Sequence, residues 1–166
     1  MTAFEYGCGT GLLSFQLQGY FKKIVLADNS EGMLGVLEKK IEKQGITNME
    51  ARFLDLTKGP IPEEKFDVVY TLMTLHHISE LDLIIDKFSN ILKEKGYLCI
   101  ADLKKEDGSF HGGNFEGHNG FEREKLEKLL SKYGFKTTVF QIIYERKKVI
   151  NGVEKAFPIF LLIAQC

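Results

Sequence analysis

Residues 4–13 read Phe4-Glu5-Tyr6-Gly7-Cys8-Gly9-Thr10-Gly11-Leu12-Leu13 and predict a short strand, a glycine turn and the start of a helix. The three glycines lie two residues apart, and glycine adopts backbone angles that other residues avoid and lets a ligand approach closely. The stretch therefore predicts a ligand-binding turn; a tight strand-to-helix turn that binds nothing is the alternative. A dinucleotide-binding fingerprint would place its third glycine at position 12, where this chain has Leu12, so the spacing counts against NAD.

The segment Glu5-Tyr6-Gly7-Cys8-Gly9-Thr10-Gly11 resembles motif I of the class I S-adenosylmethionine-dependent methyltransferases, of the small-molecule, ubiquinone/menaquinone-methyltransferase-like type. The resemblance includes Glu5, where that family has an acid near the methionine amino group of the cofactor. It implies that S-adenosylmethionine is the cofactor and that Gly7, Gly9, Thr10 and Gly11 surround its methionine end.

Length and composition limit the other functional classes. The chain has 166 residues and a net charge of -1, which predicts a single domain over residues 1–166 and no broad positive field for nucleic acid. Cys8, Cys99 and Cys166 lack the CxxC spacing of a disulfide framework or a zinc site. The longest apolar run, Ala156 to Ala164, is too short to span a bilayer. We therefore expect a cytoplasmic protein with no membrane partner.

Strand and helix patterns alternate along most of the chain. Predicted strands cover residues 2–6, 24–28, 50–54, 66–71 and 97–103, with helices after the first, second, fourth and fifth. Ser30 is placed to cap the second helix and Gly45 to end it. Ser79 with Asp82 resembles a capping box for the third helix, which is predicted to end at Gly96.

The last part of the chain predicts a hairpin. Two runs rich in β-branched and aromatic residues, 137–150 and 154–164, flank the turn signal Asn151-Gly152. Together with the alternation this predicts an α/β fold, a doubly wound and mostly parallel sheet with a C-terminal antiparallel hairpin. The methyltransferase resemblance implies the same order, with the last strand inserted antiparallel between its neighbours.

Candidate cofactor contacts follow the predicted strands, where open α/β sheets bind their ligands. The resemblance assigns the ribose to Asp28, with Asn29 beside it, and the adenine to Asp55 and Leu56. Asp28 has an alternative role in capping the next helix, and Asp55 has an alternative role as a turn residue. Met33 is placed to contact the adenine or to join the core.

Thr71 to His77 resembles motif IV of the same family, and Thr71 is a further candidate cofactor contact. His77, His111 and His118 are the candidate general bases, with structural or solvated roles as the alternative. Two adjacent histidines on a strand point to opposite faces, and no second Cys/His pair lies at ligand spacing, so we expect no metal site.

Methyl transfer from a sulfonium mainly needs the reacting groups held in line, so we expect no obligatory triad and an unidentified small-molecule acceptor. Family members usually carry N-terminal helices that cover the cofactor, and this chain begins at the first strand. We expect an uncovered apolar sheet face that favours a homo-oligomer. The alternatives are a non-catalytic or truncated module that binds cofactor or a protein partner, and a nucleotide-dependent oxidoreductase.

Overall fold

Seven strands form one sheet, and the computed structural model describes residues 1–166. The strands are β1 (Thr2–Tyr6), β2 (Lys23–Asp28), β3 (Met49–Phe53), β4 (Phe66–Leu72), β5 (Leu92–Leu103), β6 (Lys136–Ile150) and β7 (Val153–Gln165). The helices are α1 (Leu12–Leu17), α2 (Glu31–Lys43), α3 (Leu81–Ile91) and α4 (Arg123–Lys132), with short 3₁₀ turns at Gln18–Tyr20 and Leu75–His77.

The strands lie in the order β3-β2-β1-β4-β5-β7-β6. The first five run parallel, and β7 pairs antiparallel with β5 and with β6. This confirms the doubly wound, mostly parallel sheet and the last strand inserted between its neighbours. The strand order reverses between β1 and β4, the place where ligands bind in such sheets.

The core has two layers because successive strand residues point to opposite faces of the sheet. Phe4 and Val25 pack in the larger buried cluster with Phe88 of α3 and residues of α4. Their neighbours Ala3 and Ile24 pack in a second cluster with α2. Helices on both faces leave the carboxyl ends of the parallel strands as the open edge.

Local signals placed several turns correctly. The Ser30 side chain accepts a hydrogen bond from the Met33 N–H at the start of α2, and Gly45 follows that helix at φ 62°. Asn151 and Gly152 both have positive φ, 51° and 79°, as a type I′ hairpin turn requires.

The predicted bounds of α3 were wrong at both ends. The Ser79 hydroxyl donates to Glu80 and does not cap the helix, which begins at Leu81. The helix ends at Ile91, and Gly96 lies within β5, whose register against β4 shifts between the Phe66 and Val68 pairs. A Cβ at Gly96 would lie 2.9 Å from the Lys93 carbonyl, so the glycine serves a tight backbone approach in the strand.

The helix α1 ends at Leu17, and the 3₁₀ turn at Gln18–Tyr20 follows it directly. None of the helices is long and apolar enough to cross a membrane.

Phe160 tests the packing of the inserted strand. It is fully buried in β7 and stacks on Phe140 with ring centroids 5.0 Å apart. We expect Phe160→Ala to lower the free energy of unfolding by about 3–5 kcal/mol, since the sheet and helices are too rigid to fill the cavity. Phe53→Ala, at a side chain that is 58% exposed, is the matched control and should cost far less in the same urea titration. Equal losses would contradict the packing described.

Candidate active site

A cavity of about 590 Å³ opens at the carboxyl ends of β1, β2 and β4. It lies where the strand order reverses. Its sixteen lining residues are Tyr6, Gly7, Gly9, Asp28, Asn29, Ser30, Met33, Asp55, Thr57, Lys58, Met73, Thr74, His77, Ile78, Ser79 and Glu80. Six of the residues predicted to contact the cofactor are among them: Gly7, Gly9, Asp28, Asn29, Met33 and Asp55.

The glycine turn forms the floor of the cavity. Gly7 and Gly9 have φ of 73° and 52°, a region that L side chains rarely adopt. A Cβ on Gly7 would lie 2.2 Å from Thr74 Cγ2, whereas a Cβ on Gly9 would meet no atom within 4 Å. Gly7 therefore allows close packing against the end of β4, and Gly9 leaves open space beside the backbone.

Asp28 joins the glycine turn to the start of α2. Its Oδ2 accepts the Gly9 N–H at 2.8 Å, and its Oδ1 accepts the Ser30 N–H at 2.9 Å. The carboxylate remains partly exposed to the cavity. Because each carboxylate oxygen has two lone pairs, Asp28 keeps acceptor capacity for ligand hydroxyls.

Asp55 and Tyr6 form another wall. The Asp55 Oδ1 accepts from the backbone N–H and the hydroxyl of Thr57, and the hydroxyl of that residue is the main cause that lowers the pKa of Asp55. The Leu56 N–H donates to the Tyr6 hydroxyl at 3.2 Å, and Leu56 is fully buried. The backbone N–H that the resemblance assigned to the adenine is therefore already bonded within the protein.

Glu5 lies outside the cavity. Only 2% of it is exposed, and it accepts a hydrogen bond from the Ser14 hydroxyl, which also bonds the Tyr70 hydroxyl. Burial raises the pKa of Glu5 to about 7; the Ser14 hydrogen bond opposes the shift and the charge of Asp28 adds to it. The structure thus places Glu5 in an internal network under α1, away from the cavity floor.

Three other predicted contacts also lie outside the cavity. The Thr10 carbonyl accepts from Lys40 Nζ at 2.7 Å. A Cβ on Gly11 would lie 2.6 Å from Leu37 Cδ1, so this glycine serves helix packing. Thr71 is buried, its hydroxyl has no partner, and it lines a separate apolar groove.

Of the three candidate bases, His77 alone lines the cavity. Partial burial, then the neighbouring His76 and His111, lower the pKa of His77. The His111 ring lies 5.2 Å from that of His77, centroid to centroid. His118 is further along the loop, where its Nε2 bonds the Ile78 carbonyl at 2.8 Å.

Sequence reasoning missed part of the cavity wall, notably Tyr6, Met73, Thr74 and Glu80. Tyr6 stands directly before the first glycine, so its position at the end of β1 was the available signal. Met73 has φ 52°, a conformation that is uncommon for a residue other than glycine. No sequence pattern reveals such a conformation.

Comparison with known proteins identifies the family. Residues 1–149 match the family described as "Methyltransferase domain". The chain belongs to this methyltransferase domain family. An uncharacterized methyltransferase of Schizosaccharomyces pombe is 37% identical over 119 residues, which cover 68% of this chain and 42% of that protein.

A second protein is similar in sequence, and a solved structure is similar in fold. The ubiquinone/menaquinone biosynthesis C-methyltransferase of Cellvibrio japonicus is 29% identical over 136 residues, covering 80% of this chain and 49% of that protein. The structure of an S-adenosylmethionine-dependent methyltransferase from Clostridium acetobutylicum superposes with a TM-score of 0.76 at 20% identity, covering 99% of this chain and 83% of that chain. The methyltransferase domain spans about half the length of the curated relatives it matches.

The two cavity glycines should respond differently to alanine. Gly9→Ala introduces backbone strain of about 1–2 kcal/mol. Gly7→Ala adds the overlap with Thr74 and should cost about 1–3 kcal/mol more. Urea unfolding of both variants measures the difference. If Gly7→Ala were no less stable than Gly9→Ala, the close approach to Thr74 would be wrong.

Glu5 should make stability depend on pH. The pKa of Glu5 rises on folding from 4.5 to about 7, so between these values only the folded state holds the proton. Stability should therefore fall as pH rises through this window, by about 1.4 kcal/mol per unit and about 3 kcal/mol in all. We expect Glu5→Gln to match the wild type at pH 4 and to be more stable at pH 8, measured by urea unfolding. A constant difference across pH would contradict a carboxyl whose pKa is raised by burial.

Proposed function

We propose that this chain carries out S-adenosylmethionine-dependent methyl transfer to a small-molecule acceptor. One observation carries the proposal: the Asp28 carboxylate accepts the Gly9 N–H inside the cavity. The space beside Gly9 is open, and the cavity lies where the strand order reverses. Membership of the methyltransferase family supports it. The C. japonicus relative, named for biosynthesis of ubiquinone and menaquinone, supports a small molecule as acceptor.

The cavity residues suit the three parts of this cofactor. The turn at Gly7 and Gly9 would hold the methionine end, and Asp28 would accept from the ribose hydroxyls. Asp55 lies with Met33 in the same cavity and would accept from the exocyclic amine of adenine, while the thioether of Met33 would contact the ring. Glu5, Thr10, Gly11 and Leu56 would support this binding through the packing and hydrogen bonds described above, whereas Thr71 lines a separate groove and would give no such support.

Methyl transfer from a sulfonium needs little acid–base catalysis. When bound, the cofactor supplies an electrophilic methyl group on a sulfonium centre. The protein's part is to orient donor and acceptor, which is worth about 7–11 kcal/mol of the barrier in well-oriented reactions. His77 is the candidate base for a hydroxyl or ammonium acceptor, because it lines the cavity and His118 does not.

Two other functions remain as outcomes of experiment. A non-catalytic module would bind S-adenosylhomocysteine without turnover, or bind a protein partner. An oxidoreductase would bind NADH, which the glycine spacing disfavours.

A separate apolar groove beside α1 is a candidate surface for self-association. Leu13, Leu17, Phe21, Ile143 and Leu161 are among its twelve lining residues, of which eleven are hydrophobic. The predicted apolar face therefore exists. A homo-oligomer through this face remains a prediction, to be measured by sedimentation, and so does a cytoplasmic location.

Ligand-dependent thermal unfolding tests the cofactor assignment. S-adenosylhomocysteine at 100 times its dissociation constant should stabilise the native state by about 2.7 kcal/mol, which corresponds to a rise in Tm of roughly 5–11 °C. NADH should produce no rise. Gly9→Ala and Asp28→Ala should abolish the shift, because one adds a methyl beside the backbone and the other removes the acceptor. The exposed Glu38→Ala in α2 is the charge-matched control and should keep it.

The result separates the three functions. A shift with NADH and none with S-adenosylhomocysteine would replace the methyltransferase proposal by the oxidoreductase. A shift with S-adenosylhomocysteine but no labelled product from methyl-labelled cofactor and a panel of quinols, phenols, thiols and amines would favour the non-catalytic module.

His77 can be tested once an acceptor is found. If His77 is the base, His77→Gln should lower turnover by about 10²–10⁴-fold while the Tm shift with S-adenosylhomocysteine is retained. His118→Gln is the matched control and should keep turnover. Unchanged turnover in His77→Gln would remove the base role.

A further inference from the structure

Three histidines meet at the rim of the cavity. His76 and His77 lie in the 3₁₀ turn after β4, His111 lies in the loop after β5, and one ring nitrogen of each lies within 4.8 Å of the other two. Their ring centroids are 4.1, 5.0 and 5.2 Å apart. Three imidazoles bound to one tetrahedral ion at about 2.0–2.1 Å would have centroids about 5 Å apart. We propose that His76, His77 and His111 bind a divalent transition-metal ion of the zinc type.

Asp102 prepares His76 for this role. The Nδ1 of His76 lies 2.6 Å from Asp102 Oδ1, and both residues are buried. The same oxygen also accepts the Leu103 N–H at 2.7 Å. Because a carboxylate only accepts, the proton in its hydrogen bond to His76 belongs to the imidazole and lies on Nδ1. The Nε2 of His76 then holds a lone pair and makes no hydrogen bond within the protein. A carboxylate behind a histidine in this way is the usual second partner of a metal-binding imidazole.

The loop that carries His111 is held beside the turn by contacts that do not involve the ring nitrogens of His77 and His111. The His118 N–H donates to the His76 carbonyl at 2.6 Å, and its ring bonds the Ile78 carbonyl. A Cβ on Gly117 would lie 2.2 Å from the same His76 carbonyl, so the two backbones touch there. The loop therefore brings His111 close without any metal ion.

Charged groups of both signs lie near the His111 ring. Asp102 and Glu106 are close enough for their negative charges to act on the His111 ring, and one Glu106 oxygen is buried without a partner. Lys148 opposes them from beside Phe110, over whose ring its Nζ lies at 4.2 Å. The charges around the His111 ring are thus of both signs, and the proposed site rests on the three ring nitrogens.

The geometry indicates an open site. His77 and His111 are exposed, so their rings can turn toward His76 until the nitrogens are about 3.4 Å apart, as a tetrahedral ion requires. Three protein ligands leave a fourth position for water or for a ligand atom, as in catalytic zinc sites. Because His77 also lines the cavity, that position would lie at its rim. A metal-bound His77 cannot act as a free base, so the two roles exclude each other.

Metal titration of the whole chain, purified without a polyhistidine tag, tests the site. We expect one equivalent of Zn²⁺ in competition with a chromophoric chelator, and a visible absorption band of four-coordinate Co²⁺. His111→Ala and His77→Ala should abolish both signals. Asp102→Asn should weaken Zn²⁺ binding by about 10–100-fold, because it loses the carboxylate that orients His76. Mg²⁺ should not compete, since it prefers oxygen ligands.

The His118→Gln variant is the matched control, since His118 is a half-buried histidine of the same loop that lies outside the cluster, and the glutamine amide can still donate to the Ile78 carbonyl. It should keep stoichiometric binding and the Co²⁺ band. Binding that survives His111→Ala, or no stoichiometric Zn²⁺ binding by the wild type, would overturn the proposal and leave His111 as a ring stacked on Phe115, from which its centroid lies 3.9 Å. The measurement uses neither cofactor nor acceptor, so it fails or succeeds separately from methyl transfer.

Discussion

The Asp28 carboxylate holds together the two turns from which the cavity is built. One oxygen fixes the Gly9 N–H and the other fixes the Ser30 N–H, so β1 with its glycine turn and β2 with its following helix are joined at one residue. The backbone of Gly7 and Cys8 is bound in addition to the Ala27 carbonyl. A hydrogen bond to a charged acceptor contributes about 1.5–3 kcal/mol, and this carboxylate makes two of them while keeping lone pairs toward the cavity. Under the proposed function, architecture and ligand binding would depend on the same side chain.

The order of the strands could be predicted because its signals are local and repeated. Buried apolar runs, the cap at Ser30, the glycine at position 45 and the Asn151-Gly152 turn each restrict the backbone within a few residues. The bounds of α3 could not be predicted in this way, because a glycine at position 96 is typical of a helix end. Its actual role depends on the close carbonyls of Lys93 and Asp67, and Asp67 is distant in sequence. Tertiary packing decided that position, and local propensity did not.

The site was predictable only where a residue's place at a strand end decided its role. Asp28 and Asp55 follow strands and line the cavity, as their positions predicted. Glu5 lies within a strand, and the alternation of side chains turned it toward Ser14 and Tyr70 beneath α1. Thr71 is buried at the end of β4 and does not line the cavity. A resemblance gives the motif, and the pleat decides which of its side chains reach the cavity.

The histidine cluster shows why spacing alone cannot exclude a site. Adjacent histidines on a strand would point to opposite faces, but β4 ends at Leu72, and His76 and His77 both lie in a 3₁₀ turn. In such a turn successive side chains are separated by about 120°, so adjacent rings can share one side. The third ring comes from a loop whose position depends on a backbone bond to His76 and on a glycine that tolerates close contact. Neither is visible as a pattern in the sequence, and together they place a nitrogen-rich cluster at the rim of a cavity whose floor is made by the glycine turn. His77 belongs both to the histidine cluster and to the cavity wall. Cofactor binding and metal binding would therefore influence each other through this residue.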